Sequence, residues 1–141
     1  MSILIKNGRI IDGGEIKADV FIDNGKIMRV GENLDVTAEI VIDAGGKLVM
    51  PGLVDMHCHL REPGFEHKET IESGSRAAVH GGYTSVACMP NTNPVIDNAA
   101  IVRYVAQRGR EADGARVYPI GCITKGQKGE ELAEMAKMKD A

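Results

Sequence analysis

The chain has 141 residues, a formal net charge of −3 and an aromatic content of only 4%; this is a globular composition with no basic cluster to meet nucleic acid or an anionic membrane surface. Charge arrives at Lys6, too soon for the apolar core of a secretory signal, and no later stretch approaches the ~20 apolar residues of a membrane span, so a cytoplasmic location is the expectation. The three cysteines, Cys58, Cys88 and Cys122, sit singly in apolar runs, the pattern of reduced core residues rather than of a disulfide framework or a thiolate zinc knuckle.

Residues 1–50 read as short strands separated by turns. Ser2–Lys6 and Ile10–Ile11 bracket Asn7-Gly8, and Ala18–Asp23 and Lys26–Val30 bracket Asn24-Gly25, a type I′ hairpin signal. Ile40–Ile42 and Lys47–Met50 follow around Gly45-Gly46. The expectation is a small antiparallel β-module that serves as scaffold, since no His, Cys or carboxylate constellation gathers in it.

After Met50-Pro51-Gly52 the pattern changes to alternating strand and helix. Leu53–His59 is strand-like and carries His57 and His59, with Arg61 following before Glu62-Pro63-Gly64. Residues two apart on a strand share a face, so His57, His59 and Arg61 are expected to converge while Cys58 and Leu60 face away. Two neutral imidazoles suit Zn²⁺, and the arginine fork matches a carboxylate. Asp55 shares the parity of the pair and reads as a supporting or structural group.

Lys68–His80 is predicted as a helix with Ile71, Gly74, Ser75, Ala78 and Val79 inward, stopped by Gly81-Gly82. His80 then falls in the last turn, where its charge favours the helix end, and His67 lies in the polar loop before the helix. Thr84–Met89 is the next strand, Pro90–Pro94 a loop holding Asn91, and Asn98–Glu111 a helix with Ile101, Val102 and Val105 inward. Arg116–Ile123 reads as a third strand, and Glu130–Lys139 as a third helix with Leu132, Met135 and Ala136 inward. Strand then helix, three times over, implies a parallel sheet. A complete (β/α)₈ barrel needs about 250 residues, so the chain reads as truncated.

In order, PGLVDMHCHLREPG at 51–64, HKETIESGSRAAVHGGYTS at 67–85, MPNTNPVID at 89–97 and GCITKG at 121–126, behind a β-rich N-terminus, resemble the dihydroorotases of the amidohydrolase superfamily. The resemblance implies an α/β architecture: residues 1–50 as part of a β-sandwich built from both chain ends, and residues 51–141 as the first three βα units of a metal-dependent (β/α)₈ barrel. It implies that His57 and His59 bind Zn²⁺, in a mononuclear or binuclear centre, that Arg61 pairs with the substrate carboxylate, and that Asn91 hydrogen-bonds substrate polar groups. The implied reaction is the reversible ring closure of N-carbamoyl-L-aspartate to L-dihydroorotate in pyrimidine biosynthesis, with zinc making hydroxide available and polarising the carbonyl while a carboxylate moves the proton. The bridging carboxylate group, two further histidines and the catalytic aspartate of that family belong to later strands. No catalytic residue is therefore assigned within these 141 residues, and the chain by itself is expected to be inactive and prone to aggregate.

Two other readings share parts of this pattern. An allantoinase or hydantoinase would keep the histidine pair, but such relatives do not usually combine an arginine before Glu-Pro-Gly with Met-Pro-Asn-Thr. A non-catalytic dihydroorotase-like partner of aspartate transcarbamoylase tends to lose its metal ligands, whereas His57, His59 and Arg61 are all present. The expected partner is the small-molecule substrate, with a homodimer or an aspartate transcarbamoylase association left open.

Overall fold

Alternating apolar residues carry β1 (Ser2–Ile11) across the middle of a five-stranded sheet in the computed structural model, which describes residues 1–11 and 13–141. β2 (Glu15–Asp23) pairs antiparallel with β1, and β3 (Lys26–Gly31) antiparallel with β2. Asn24 and Gly25 join β2 to β3 with φ of 48° and 73°, the positive values a type I′ turn requires. β4 (Ile40–Asp43) and β5 (Leu48–Val49) run parallel to β1, so the module is mixed rather than antiparallel. Strand direction here follows from the path of the connection after β3, which the residue pattern of β4 and β5 does not encode.

Asn7-Gly8 is not a turn. β1 continues through it with one extra residue, because Ile5 faces Val20 while Gly8 faces Ala18. Asn7 takes φ 57° and is held on both sides: its N–H donates to Asp19 Oδ1 at 2.9 Å, and its Nδ2 donates to Asp43 Oδ1 at 2.9 Å. A Cβ on Gly8 would lie 2.8 Å from Val49 Cγ2, so glycine is what lets β5 close on the bulge. Ile10, Ala18 and Val20 form the core of this unit, Met1–Pro51.

The second unit, Gly52–Ala141, is a three-stranded parallel sheet in the order β6 (Leu53–Cys58), β7 (Tyr83–Cys88), β8 (Arg116–Pro119). α1 (Ile71–His80) and α2 (Ala99–Glu111) connect the strands. Each helix starts where a side chain satisfies its free amides. Thr70 Oγ1 accepts the Ser73 N–H while Ser73 Oγ accepts the Thr70 N–H, both at 3.1 Å; Asn98 Oδ1 accepts from Ala100 and Ile101. The helices lay Ile71, Val102 and Val105 over Val86 and Cys88, with Leu60 and Ile96 completing the core. Each of the large apolar side chains fully buried there contributes roughly 1.5–3 kcal/mol. Val54, Met56 and Tyr118 stay exposed.

The last segment departs from expectation. β8 stops at Pro119, and the third helix, α3, is only Met135–Lys139. Leu132 forms an isolated bridge with Thr124, which takes residues before Met135 out of the helix and shifts its phase. Ala133 and Met138 are buried instead, leaving Leu132 63% and Met135 48% exposed and Ala136 on the surface. Val79 of α1 is likewise exposed, whereas Ile71 and Ser75 are buried as the helical spacing predicts. Among the described residues no helix is long and apolar enough to cross a membrane.

Candidate functional site

β6 and β7 are parallel and finish level, Cys58 opposite Cys88, and the Met89 N–H donates to the Cys58 carbonyl at 2.8 Å. The two loops that follow therefore leave the same end of the sheet, the end at which α/β folds assemble their sites. His57 lies within β6 and His59 just past it, both exposed, with ring centroids 5.4 Å apart and planes inclined at 66°. The His57 N–H donates to Asp55 Oδ1 at 2.9 Å, so Asp55 braces the backbone of the pair rather than an imidazole.

His59 Nδ1 lies 2.9 Å from Asn91 Oδ1. An amide oxygen only accepts, so Nδ1–H donates to it, and in this tautomer the neutral imidazole presents the Nε2 lone pair, the arrangement that prepares it to hold a metal. Asn91 is exposed between two buried neighbours, Pro90 and Thr92, and the Thr92 hydroxyl donates to the Pro94 carbonyl at 2.8 Å. A second bond joins the two loops where the Asn93 N–H meets the Pro63 carbonyl at 2.9 Å. Gly64 permits that approach, since at φ 95° a Cβ there would lie 2.7 Å from Asn93 Cβ and nearer still to the Asn93 carbonyl oxygen.

Strand alternation does not carry Arg61 onto the face of the histidines. β6 ends at Cys58, and Arg61 has φ 64°, outside any extended conformation. It is the half-buried centre of a tight turn closed by the Glu62 N–H donating to the Leu60 carbonyl at 2.8 Å, and its own carbonyl accepts from Phe65. It therefore follows the pair on a loop and not on the pleat.

Glu62, which nothing in its local sequence marks out, is buried at 5% exposure. Its Oε2 accepts the Ile71 N–H, and its Oε1 accepts the Tyr104 hydroxyl and Arg108 Nε, each at 2.9 Å. Burial alone pushes this carboxyl up; the bonds from Arg108, Ile71 and Tyr104 outweigh it and hold the group below the ordinary carboxylate range. A glutamate before Pro-Gly reads as a surface loop residue, because the partners that bury it arrive 42 and 46 residues later.

The remaining candidates lie apart. His80 is exposed at the end of α1, and His67 is exposed with its ring 6.4 Å from that of Phe65. Cys58, Cys88 and Cys122 are free, and burial pushes the first two up to about 11 and about 12, so they are thiols near neutral pH. In the first unit Asn7, Arg9, Lys17 and Asp19 line a cavity, but Arg9 is already forked onto Glu15 and Asp19 is engaged by the Asn7 and Leu34 amides. Among the described residues no group of three or more His, Cys, Asp and Glu is placed to hold a metal. His57 and His59 match zinc in donor type but are fewer than the three protein ligands of a catalytic zinc centre.

The model of the dihydro-orotase-like family matches residues 46–141. Over its whole length the chain is 57% identical to the dihydroorotase of Pelobacter propionicus and 57% identical to that of a Thermoanaerobacter species, spanning 34% and 33% of those proteins. It therefore covers about a third of the length of these curated relatives. Among solved structures, 98% of the chain superposes on 30% of the L-hydantoinase (dihydropyrimidinase) from Arthrobacter aurescens, with a TM-score of 0.77 at 27% identity. The class these likenesses define is that of the cyclic amidohydrolases. Within it, the chain belongs to the dihydro-orotase-like family.

Proposed function

We propose that residues 1–141 supply the first two metal ligands and the substrate-carboxylate anchor of a zinc-dependent dihydroorotase, which interconverts N-carbamoyl-L-aspartate and L-dihydroorotate in pyrimidine biosynthesis. The observation that carries this reading is the joining of the two strand-end loops, through His59 with Asn91 and through Pro63 with Asn93. It supports reading His57, His59, Arg61 and Asn91 as one site, since all four lie at or just past the ends of two adjacent strands. The 57% identity to dihydroorotases supports the substrate. On this reading β6–α1, β7–α2 and β8 with the segment after it open a (β/α)₈ barrel, and the first unit is part of a β-sandwich.

His57 and His59 would hold the metal, which when bound supplies Lewis acidity to an amide carbonyl. Arg61 would pair bidentately with the carboxylate of the ring and so fix its orientation. Asn91 holds His59 through Oδ1 and keeps Nδ2 as a donor for a substrate polar group. In the hydrolytic direction the oxygen of water bonds to the ring carbonyl carbon, the ring C–N bond breaks, and the leaving nitrogen takes up a proton. No residue of this chain is assigned to that proton.

A hydantoinase-type reading is favoured by the TM-score of 0.77 to an L-hydantoinase. The substrates separate the two, because dihydroorotate carries a ring carboxylate for Arg61 and dihydrouracil does not. The test is an exchanged enzyme, the Pelobacter propionicus dihydroorotase with residues 1–141 in place of its matching third. Zinc-dependent turnover of dihydroorotate in preference to dihydrouracil and allantoin, lost in a His57→Ala, His59→Ala double variant, is expected. Preference for dihydrouracil would overturn the substrate assignment.

A further inference from the structure

We infer that Glu62, held by Tyr104 and Arg108 of α2, is a positioning residue that sets the backbone conformation of Arg61 and thereby the selectivity of the site for a carboxylate-bearing ring. The inference rests on the proposed reading of Arg61 as the carboxylate anchor.

Arg61 occupies the left-handed region at φ 64°, which residues with a Cβ adopt uncommonly and at some cost. Here both neighbours are anchored. Leu60 is buried in the apolar core, and Glu62 is buried against three donors, one from the first residue of α1 and two from α2. The Glu62 N–H donating to the Leu60 carbonyl pins the two anchors to each other across Arg61. With both flanks fixed, the residue between them has no freedom to relax to an ordinary conformation.

The choice of a glutamate for this anchor is informative. An apolar side chain of similar size would fill the same space without the cost of removing a charge from water. What a carboxylate adds is direction, because bonds from the Ile71 N–H, the Tyr104 hydroxyl and Arg108 Nε, all at 2.9 Å, orient the side chain. The turn that presents Arg61 is thus referenced to α2, an element that contributes neither a histidine of the pair nor either substrate-binding candidate. Asn91 shows the same construction, exposed between buried Pro90 and Thr92.

The test uses the exchanged enzyme. Glu62→Gln keeps the volume and weakens the bond to Arg108, and Tyr104→Phe removes one donor without touching the loop. Each should raise KM for dihydroorotate, about tenfold for Glu62→Gln and less for Tyr104→Phe, with kcat within about threefold and zinc content unchanged. In an Arg61→Met background Glu62→Gln should add less than about twofold, because its effect passes through Arg61. An equal rise in KM in that background would show that Glu62 acts on the fold at large and would overturn the inference. Raised KM in Arg61→Met with unchanged KM in both Glu62→Gln and Tyr104→Phe would overturn the positioning role alone. Unchanged KM in Arg61→Met would overturn the reading of Arg61 and this inference with it.

Discussion

The Nδ1 nitrogen of His59 and the Oδ1 oxygen of Asn91 are 2.9 Å apart, a bond between the loops that follow two adjacent parallel strands. It ties a candidate metal ligand to a residue 32 positions away and selects the imidazole tautomer. Asn91→Leu in the exchanged enzyme should therefore weaken zinc binding by about 10- to 100-fold, read by competition with a chromophoric chelator. Unaltered affinity would mean that the bond does not orient His59.

In the 141-residue chain by itself, two imidazoles leave a tetrahedral ion without its usual third protein ligand. Zinc should be retained poorly. Titration calorimetry that found a tight one-to-one site, abolished by the His57→Ala, His59→Ala double change, would contradict this.

Arg61→Met in the exchanged enzyme removes a charge-assisted fork worth about 2–4 kcal/mol in transition-state binding. Catalytic efficiency on dihydroorotate should fall roughly 30- to 1000-fold. Steady-state kinetics with the unaltered value retained would confine Arg61 to a structural role.

Arg61→Gly should separate conformation from chemistry. Glycine adopts φ 64° without penalty, so the turn should be unchanged in stability or gain up to about 1 kcal/mol, while activity falls as in Arg61→Met. Gly64→Ala should do the reverse, because at φ 95° its Cβ meets Asn93; a loss of about 2–4 kcal/mol is expected, with the His59–Asn91 bond weakened as the loops part. Thermal melts of both variants check the pair of signs.

Glu62 gives a pH dependence. Its carboxyl is held below the ordinary range in the folded protein, so the unfolded chain takes up the proton first as acid is added. The stabilisation is complete above the ordinary glutamate value and is lost as pH falls through it towards the folded value. The melting temperature should fall more steeply with acid than in Glu62→Gln, and the two should approach each other at the acid end. Parallel curves would show that Glu62 is not the linked group.

Much of the second unit was legible from local pattern. Strand and helix alternation, the Asn98 start and the inward Val102 and Val105 all follow from spacing and side-chain chemistry within a few residues, whereas the first helix begins at Ile71 rather than Lys68 because Thr70 and Ser73 cap each other there. His57 and His59 stand out by their spacing alone, although the strand stops at Cys58 and leaves His59 just beyond it. Asn24-Gly25 is legible for the same local reason, since few residue pairs accept two positive φ angles in succession.

What tertiary structure decided were features whose causes lie far along the chain. Asn7-Gly8 has the composition of a turn but becomes a bulge, because Asp19 and Asp43 claim the Asn7 donors. The Thr124–Leu132 bridge displaces the start of the third helix, a competition that helical spacing cannot register. Arg61 leaves the strand pattern and Glu62 enters the interior because Ile71, Tyr104 and Arg108 together supply the bonds a buried carboxylate needs. By itself, then, the sequence determined which residues could carry chemistry and which short segments could become strands and helices, through steric and periodic rules that act over a few residues. Only the packed structure determined how those residues are aimed, because burial and hydrogen-bond satisfaction depend on partners that the chain brings together after long separation.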